Sequence, residues 1–301
     1  MKNPKVALIQ DAPVLFDLEK SLEKVASLSK EAASKGADLI LFPEAFLGGY
    51  PRGLSFGTRI GSRSPEGRDE WMEYWQACPR LDEKLLSFLG GIAKDHGVYL
   101  GMGLVEKGQT GSSLYCSFLV FSPEGTLLKH HRKIKPTGTE RLIWGEGDGS
   151  SIKTFESDYG RMGALICWEN YMPLARTALY EGAMDIHLAP TADSRDSWKS
   201  SMIHIALEGR CFVLSCNQFV KKDMYPGRFQ TELKGEEEIM CRGGSMLVSP
   251  LGEIIAGPLY NEAGILLAEL DLDLIPKSRL DFEASGHYSR PDIFHFKNTR
   301  T

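Results

Sequence analysis

The 301-residue sequence lacks any apolar run of the ~20 residues that a membrane-spanning helix requires. It also lacks an excess of positive charge, because 35 lysines and arginines stand against 40 aspartates and glutamates. A net charge of −5 gives no electrostatic basis for nucleic-acid binding. The N-terminus begins a predicted strand without the charged and apolar regions of a signal peptide. We therefore expect a cytoplasmic protein that binds neither membrane nor nucleic acid.

The cysteines form no CxxC pair and no Cys/His cluster at zinc spacing. Reduced thiols are the simplest interpretation of these six residues: Cys78, Cys116, Cys167, Cys211, Cys216 and Cys241. His130 and His131 are adjacent in a predicted strand, where successive side chains point to opposite faces, so they are poorly placed to share a metal ion. We expect neither a metal nor any other cofactor.

Strand and helix patterns alternate along the chain, which indicates an α/β protein. Strands are predicted at residues 6–10, 37–42, 98–105, 114–121, 126–132, 185–189, 211–217, 245–249 and 265–270. Helices are predicted from the cap Asp17 to Gly36 and at residues 69–77, 81–95, 172–183, 197–209 and 274–283. The turn Ser122-Pro-Glu-Gly125 suits a hairpin. We expect a single domain over residues 1–301, with a C-terminal extension from about residue 284.

Three chemically reactive side chains follow three apolar, strand-like runs. Cys167 ends one run, Glu44 a second and Lys133 a third. Each residue alone fits a bland interpretation, because free cysteine is usually a buried hydrophobe and charged residues commonly end strands at the surface. Together, a thiol, a carboxylate and an ammonium at strand ends indicate nucleophilic catalysis.

The segments around these residues resemble the Glu-Lys-Cys signature of the nitrilase superfamily over nearly the whole chain. The resemblance rests on FPEAF at residues 42–46, HRKIKP at 131–136 and CWEN at 167–170. Further segments resemble the true nitrilase branch, of plant and bacterial type: GYPRG at 49–53, ERLIWGEGDG at 140–149, APTAD at 189–193 and GHYSRPD at 286–292. The resemblance implies an α-β-β-α four-layer sandwich.

The resemblance also implies roles for the catalytic residues. Glu44 takes the thiol proton, Cys167 attacks the substrate, and Lys133 donates to developing negative charge together with the Trp168 backbone N–H. Glu140 matches a supporting glutamate that orients Lys133 or delivers protons, although its position in a loop also fits a helix cap or a surface ion pair. Glu169 is ranked below Glu44 as the base, because the turn can aim it away from the thiol.

Substrate-binding residues are expected beside these segments. The candidates are Tyr50, Trp144, Trp168, Asn170 and Thr191, with Pro51, Asp193 and Trp198 as further wall residues. Asn170 has the alternative of bonding only the turn, and aromatic residues beside a site often serve packing alone.

The expected activity is hydrolysis of small organic nitriles to carboxylic acid and ammonia through a thioimidate and a thioester. Arylaliphatic nitriles and cyano-amino acids are both candidate substrates. The alternatives are an amidase or N-carbamoyl hydrolase with the same three residues, nitrile hydration that stops at the amide, and a catalytically idle binding protein on the same fold. The resemblance further implies a homo-oligomer built from dimers, of spiral or filament type.

Overall fold

The computed structural model describes residues 3–300, in which thirteen strands form two mixed sheets. The strands of the first sheet are β1 (Lys5–Gln10), β2 (Leu39–Leu41), β3 (Tyr99–Lys107), β4 (Leu114–Phe121), β5 (Leu127–Arg132) and β13 (Gly264–Glu269). Their order is β13-β1-β2-β3-β4-β5. Since β1, β2 and β3 are parallel and two antiparallel steps lead to β5, the carboxyl ends of β2 and β5 lie at one edge.

The second sheet contains the other seven strands. They are β6 (Phe155–Ser157), β7 (Gly160–Ala164), β8 (Ile186–Thr191), β9 (Phe212–Asn217), β10 (Phe219–Lys221), β11 (Ile239–Val248) and β12 (Ile254–Tyr260). The order is β10-β11-β9-β8-β7-β6, with β12 also pairing with β11. Because β7, β8 and β9 are parallel, their carboxyl ends also share one edge.

Alternate residues of the strands pack against different layers. Val6 and Leu8 of β1 lie in a core that also contains Ile186 and Leu188 of β8, so this core separates the two sheets. The intervening Ala7 packs with residues of the helices on the outer face of the first sheet. The period-two burial therefore gives each sheet one face toward the other sheet and one toward helices. The predicted α-β-β-α sandwich is confirmed.

Six α-helices are present in the described residues: α1 (Leu18–Ser34), α2 (Pro65–Ala77), α3 (Glu83–His96), α4 (Pro173–Tyr180), α5 (Asp196–Gly209) and α6 (Leu274–Arg279). The predicted cap of α1 is confirmed, since the Asp17 carboxylate accepts from Lys20 N at 3.0 Å. Helix α2 begins four residues before its predicted start, where Ser64 caps it and Pro65 occupies the first turn. The prediction of α6 was too long, because that helix ends at Arg279 rather than residue 283.

The predicted strands exist, but several bounds differ and some strands were not predicted. β2 is confined to Leu39–Leu41, and the predicted strand at 245–249 is the end of the longer β11. β6, β10 and β12 had no counterpart in the prediction. The predicted Ser122–Gly125 turn joins β4 and β5, with Gly125 N donating to Ser122 O at 2.9 Å. In residues 3–300 no helix combines the length and apolar character needed to cross a membrane.

Candidate active site

Cys167 lies where the chain leaves β7 and enters a 3₁₀ turn, Cys167–Tyr171, that leads into α4. Its φ of 49° is in the left-handed region, which is costly for a residue with a β-carbon and must be stabilised by the surrounding structure. Thr191 ends the neighbouring strand β8, and its hydroxyl donates to Cys167 Sγ at 3.2 Å. The parallel strands thus place the thiol and this hydroxyl at the same sheet edge.

Glu44 and Lys133 come from the first sheet. Glu44 follows β2 by three residues and Lys133 follows β5 directly, at the sheet edge where both strands end. Lys133 Nζ lies 2.7 Å from Glu44 Oε1 and 2.8 Å from Glu140 Oε2. The Lys133 and Glu44 side chains are completely buried. Gln218, just beyond β9, donates to Glu44 O at 2.5 Å and thereby links the two sheets at the site.

Burial determines the protonation of this cluster. Burial raises the pKa of Glu44, and the Glu140 charge adds to this, while Lys133 and the nearby Cys167 thiol act in the opposite direction. Burial likewise raises the pKa of Cys167, and the Glu44 charge raises it further. Burial acts to lower the pKa of Lys133, but Glu44 and its other anionic neighbours outweigh burial and raise it. The resting site therefore favours a neutral thiol beside a permanently charged ammonium.

The second oxygen of the Glu44 carboxylate differs from the first. Oε1 contacts Lys133 and accepts from Cys116 Sγ at 3.5 Å. Oε2 is buried and has no partner within ordinary hydrogen-bond geometry in the described residues, although the Cys167 thiol is close enough to lower the Glu44 pKa. This arrangement leaves one carboxylate oxygen able to accept a proton from the thiol.

Glu140 lies on a 3₁₀ turn, Gly138–Leu142, rather than in an irregular loop. Its Oε2 accepts from Thr137 N at 2.6 Å as well as from Lys133, so it combines a cap with a buried ion pair. Tyr50 donates its hydroxyl to Glu140 Oε1 at 2.7 Å. Burial, together with the negative charge of Glu140, raises the pKa of Tyr50 well above its usual value, which keeps this donor protonated.

A cavity of about 280 Å³ opens over Cys167. Its other lining residues are Tyr50, Arg52, Thr137, Glu140, Trp168, Ala192, Asp193, Ser194 and Arg195. Trp168 Nε1 donates to Asp193 Oδ2 at 2.9 Å, and the Arg195 guanidinium lies 4.6 Å from the Trp168 ring centroid. Tyr50, Arg52 and Glu140 also line a second cavity of about 350 Å³, which extends toward Trp144.

The predicted substrate-binding residues fall into three groups. Tyr50 and Trp168 line the cavity over Cys167, and Thr191 contacts its sulfur. Trp144 lines the second cavity, with its ring centroid 5.5 Å from that of Tyr50. Asn170 is buried and lines neither cavity; its amide donates to Leu165 O at 3.0 Å and Cys167 O at 2.8 Å. Asn170 thus bonds the turn, the alternative raised for it.

The further predicted wall residues also lie in different places. Asp193 lines the cavity over Cys167 and Pro51 lines the second one, whereas Trp198 lines neither and donates to Ser215 Oγ at 2.8 Å. Sequence reasoning missed Arg52 and Arg195 as lining residues. The available signal was their position, because Arg52 lies within the segment 49–53 already singled out and Arg195 follows the segment 189–193 by two residues. Polar residues at the edge where parallel strands end tend to meet.

His130 and His131 point to opposite faces of β5, as the strand pattern predicts. His130 Nε2 lies 3.0 Å from Glu106 Oε1, whereas His131 Nε2 lies 2.9 Å from Glu169 Oε2. Within the described residues no group of three or more histidine, cysteine, aspartate or glutamate side chains is arranged to hold a metal ion. All six cysteines are buried and free of disulfides.

Comparison with known proteins places the chain in a family. Residues 5–279 match the carbon-nitrogen hydrolase family. The chain is 47% identical over 291 residues to an aliphatic nitrilase of Sinorhizobium fredii, covering 96% of this chain and 94% of that protein. It is 44% identical to nitrilase 1 of Arabidopsis thaliana, covering 97% and 85%. A bifunctional nitrilase/nitrile hydratase of Lupinus angustifolius is 45% identical, covering 96% and 84%.

Solved structures share the fold at low sequence identity. Saccharomyces cerevisiae Nit3, a member of branch 10 of the nitrilase superfamily, has a TM-score of 0.73 at 20% identity, covering 96% of this chain and 97% of that chain. A carbon-nitrogen hydrolase from Helicobacter pylori G27 has a TM-score of 0.74 at 20% identity, covering 97% of both chains. The chain belongs to the carbon-nitrogen hydrolase family, in its nitrilase group, and is a hydrolase of carbon–nitrogen bonds.

Proposed function

We propose that this protein hydrolyses small organic nitriles to the carboxylic acid and ammonia through a covalent intermediate on Cys167. The observation that carries the proposal is a cavity lined by Cys167, whose thiol lies close enough to Glu44 to lower the pKa of that carboxyl. One Glu44 oxygen has no partner in the described residues, and the other lies 2.7 Å from the buried Lys133 ammonium. The curated relatives named as nitrilases, at 44–47% identity, support the choice of substrate class.

In the first half of the proposed reaction, Glu44 removes the thiol proton as the Cys167 sulfur attacks the nitrile carbon. The S–C bond forms, one C–N π bond breaks, and the nitrogen takes up the proton that Glu44 removed from the thiol, which gives the thioimidate. Because burial raises the pKa of the thiol, attack requires this transfer to accompany bond formation. Base catalysis of this kind contributes roughly 10²–10⁴-fold.

In the second half, water adds across the C=N bond of the thioimidate and gives a tetrahedral species with hydroxyl and amino groups. The C–N bond then breaks as the hydroxyl proton passes to the amino group, so ammonia leaves and a thioester remains. A second water hydrolyses the resulting thioester, which releases the acid and returns the proton to sulfur. Lys133 donates to the negatively charged tetrahedral species, with the Trp168 backbone N–H as the second proposed donor. Glu140 holds the Lys133 ammonium in place through the 2.8 Å ion pair.

Ammonia release over a panel of aliphatic, arylaliphatic and amino-acid nitriles tests the proposal. We expect turnover of at least one class and its loss in Cys167→Ala. Cys211→Ala is the matched control, since Cys211 is also a buried free thiol but does not line the cavity over Cys167. Undiminished turnover in Cys167→Ala would overturn the proposal.

A second product is favoured by one comparison. A relative at 45% identity is a bifunctional nitrilase/nitrile hydratase. We therefore expect the tetrahedral species formed from the thioimidate to break down in two ways in this protein: one releases ammonia and leaves the thioester, and the other releases the amide. Chromatographic analysis of acid and amide from one nitrile measures the ratio. Giving the matching amide as substrate separates a nitrilase from an amidase, which would prefer the amide in kcat/KM.

We also propose a homo-oligomer assembled from dimers and a cytoplasmic location. Large apolar side chains are exposed where the nucleophile turn meets α4, namely Tyr171, Met172 and Leu174, which suits a subunit contact. Six free cysteines suit a reducing compartment. Light scattering that detects only monomer at working concentration would contradict the assembly, and fractionation of the source cell tests the location.

A further inference from the structure

Glu169, two residues after Cys167, accepts hydrogen bonds from the backbone next to Cys167 and from the backbone next to Lys133. Its Oε2 accepts from the backbone N–H of Ile166 at 2.7 Å, and its Oε1 accepts from the backbone N–H of Ile134 at 2.7 Å. Ile166 directly precedes Cys167, and Ile134 directly follows Lys133. One carboxylate therefore ties together the two backbone segments that carry the thiol and the ammonium.

His131 completes this arrangement. Its Nε2 lies 2.9 Å from Glu169 Oε2, and its Nδ1 lies 2.7 Å from Ser151 Oγ. Both His131 and Glu169 are completely buried, and neither lines the cavity over Cys167. Because the imidazole bonds Glu169 on one side and Ser151 on the other, it fixes the direction in which the carboxylate points.

From this geometry we propose that Glu169 and His131 are positioning residues that set the separation of Lys133 and Cys167 and hold the nucleophile in its left-handed backbone conformation. The inference rests on the proposed role of Cys167 as nucleophile. Displacement of a reacting group by about 1 Å can cost about 10²-fold in rate, so a link of this kind acts on kcat although it touches no substrate.

The proposed positioning role depends on the negative charge of Glu169. Burial acts to raise its pKa, but the His131 charge, the His131 hydrogen bond and the two backbone donors together lower it. Lys129 is the other cation that acts on it electrostatically, and burial lowers the pKa of Lys129 to about 8. An ionised Glu169 accepts from both backbone N–H groups at once, which a neutral amide in its place cannot do.

Kinetics of three variants on a nitrile turned over by the wild type test the inference. Glu169→Gln puts an amide NH₂ against one backbone N–H, so we expect kcat to fall about 10²-fold with little change in KM. His131→Leu removes the partner of Glu169 and should act in the same direction. His131→Gln retains a donor that can reach Glu169, and should recover most of the activity that His131→Leu loses.

The pH profile separates positioning from general stability. With His131 absent, the pKa of Glu169 rises, because two of the causes that lower it are lost while burial remains. The acid limb of kcat/KM in His131→Leu should therefore move to higher pH. Leu89→Ala in helix α3 is the control, because it opens a cavity in the outer core of the first sheet and lowers thermal stability without touching the site. It should leave both kcat and the profile unchanged.

Two results would overturn the inference: wild-type kcat in Glu169→Gln, or equal kcat and pH profiles for His131→Leu and His131→Gln. If Glu169→Gln does not fold, the His131 pair decides alone. Retained turnover in Cys167→Ala would instead overturn the proposed function, so the two failures are distinguishable.

Discussion

The two halves of the candidate active site are held by different forces. The half from the first sheet consists of Glu44, Lys133 and Glu140, buried charges joined by ion pairs of 2.7 and 2.8 Å. The half from the second sheet consists of Cys167 on a strained turn, held mainly by hydrogen bonds to backbone groups. A buried charge is costly unless it has a partner of opposite charge. A buried neutral thiol needs no such partner, and only its orientation has to be fixed.

This difference separates stability from reactivity. Removing one buried charge leaves its partners uncompensated, so a substitution in the first half should destabilise the fold as well as stop turnover. Removing the thiol leaves no unpaired charge, so a substitution there should stop turnover alone.

The largest effect is expected for Lys133→Met, which leaves Glu44 and Glu140 buried without their shared cation. We expect a loss of about 3–5 kcal/mol in the free energy of unfolding and undetectable turnover. Cys167→Ala is the matched comparison and should lose turnover while keeping nearly wild-type stability. Chemical denaturation followed by fluorescence measures the stability of both variants. Equal stability would contradict the expected difference between the charged half and the thiol half.

The side chains at strand ends were the easier part of the site to predict from sequence. Glu44, Lys133 and Cys167 stand at the ends of apolar runs, and that position is readable because strands are buried and their ends are not. The supporting contacts were not readable. Glu169 was considered only as a rival base, because nothing local shows that its oxygens accept from Ile134 and Ile166.

The fold class was predicted correctly, but the prediction missed some strands, because only buried strands have a clear apolar pattern. Strands with near-continuous apolar runs, such as β1 and β9, were found because both of their faces are buried. β12 was missed, because Gly257 and Pro258 argue against a strand and its residues are half-exposed. Within residues 3–300, β12 pairs with β11 alone, and this edge position tolerates a proline that a central strand excludes.

Glu44→Gln is expected to have the next largest effect. The amide can still accept from Lys133 but cannot take the thiol proton, so kcat/KM should fall by roughly 10²–10⁴-fold. In the wild type, burial raises the Glu44 pKa above the ordinary value of 4.5, so activity should be lost on acidification at a pH above that value. A pH–rate profile without this limb would contradict the role of Glu44 as base.

Tyr50→Phe should have a smaller effect on the same half. It removes the hydroxyl that donates to Glu140 at 2.7 Å, and a hydrogen bond to a charged group contributes about 1.5–3 kcal/mol. We expect kcat to fall about tenfold or more because the Lys133 ammonium is held less firmly. Tyr225→Phe is the control, since that hydroxyl donates to Tyr50 O and bonds neither Glu44 nor Glu140. Equal kinetics of the two variants would show that Glu140 needs no support from Tyr50.

The smallest effect is expected in the thiol half, for Thr191→Val. The Thr191 hydroxyl donates to Cys167 Sγ at 3.2 Å and lowers the thiol pKa, so its removal should raise that pKa further. A neutral hydrogen bond contributes about 1 kcal/mol, which corresponds to a fall of about fivefold in kcat. Thr191→Ser retains the hydroxyl and should stay near the wild type. The thiol is held mainly through its backbone, so the hydroxyl should contribute less than the base. A loss of activity in Thr191→Val as large as in Glu44→Gln would show that the hydrogen bond to sulfur matters as much as the base.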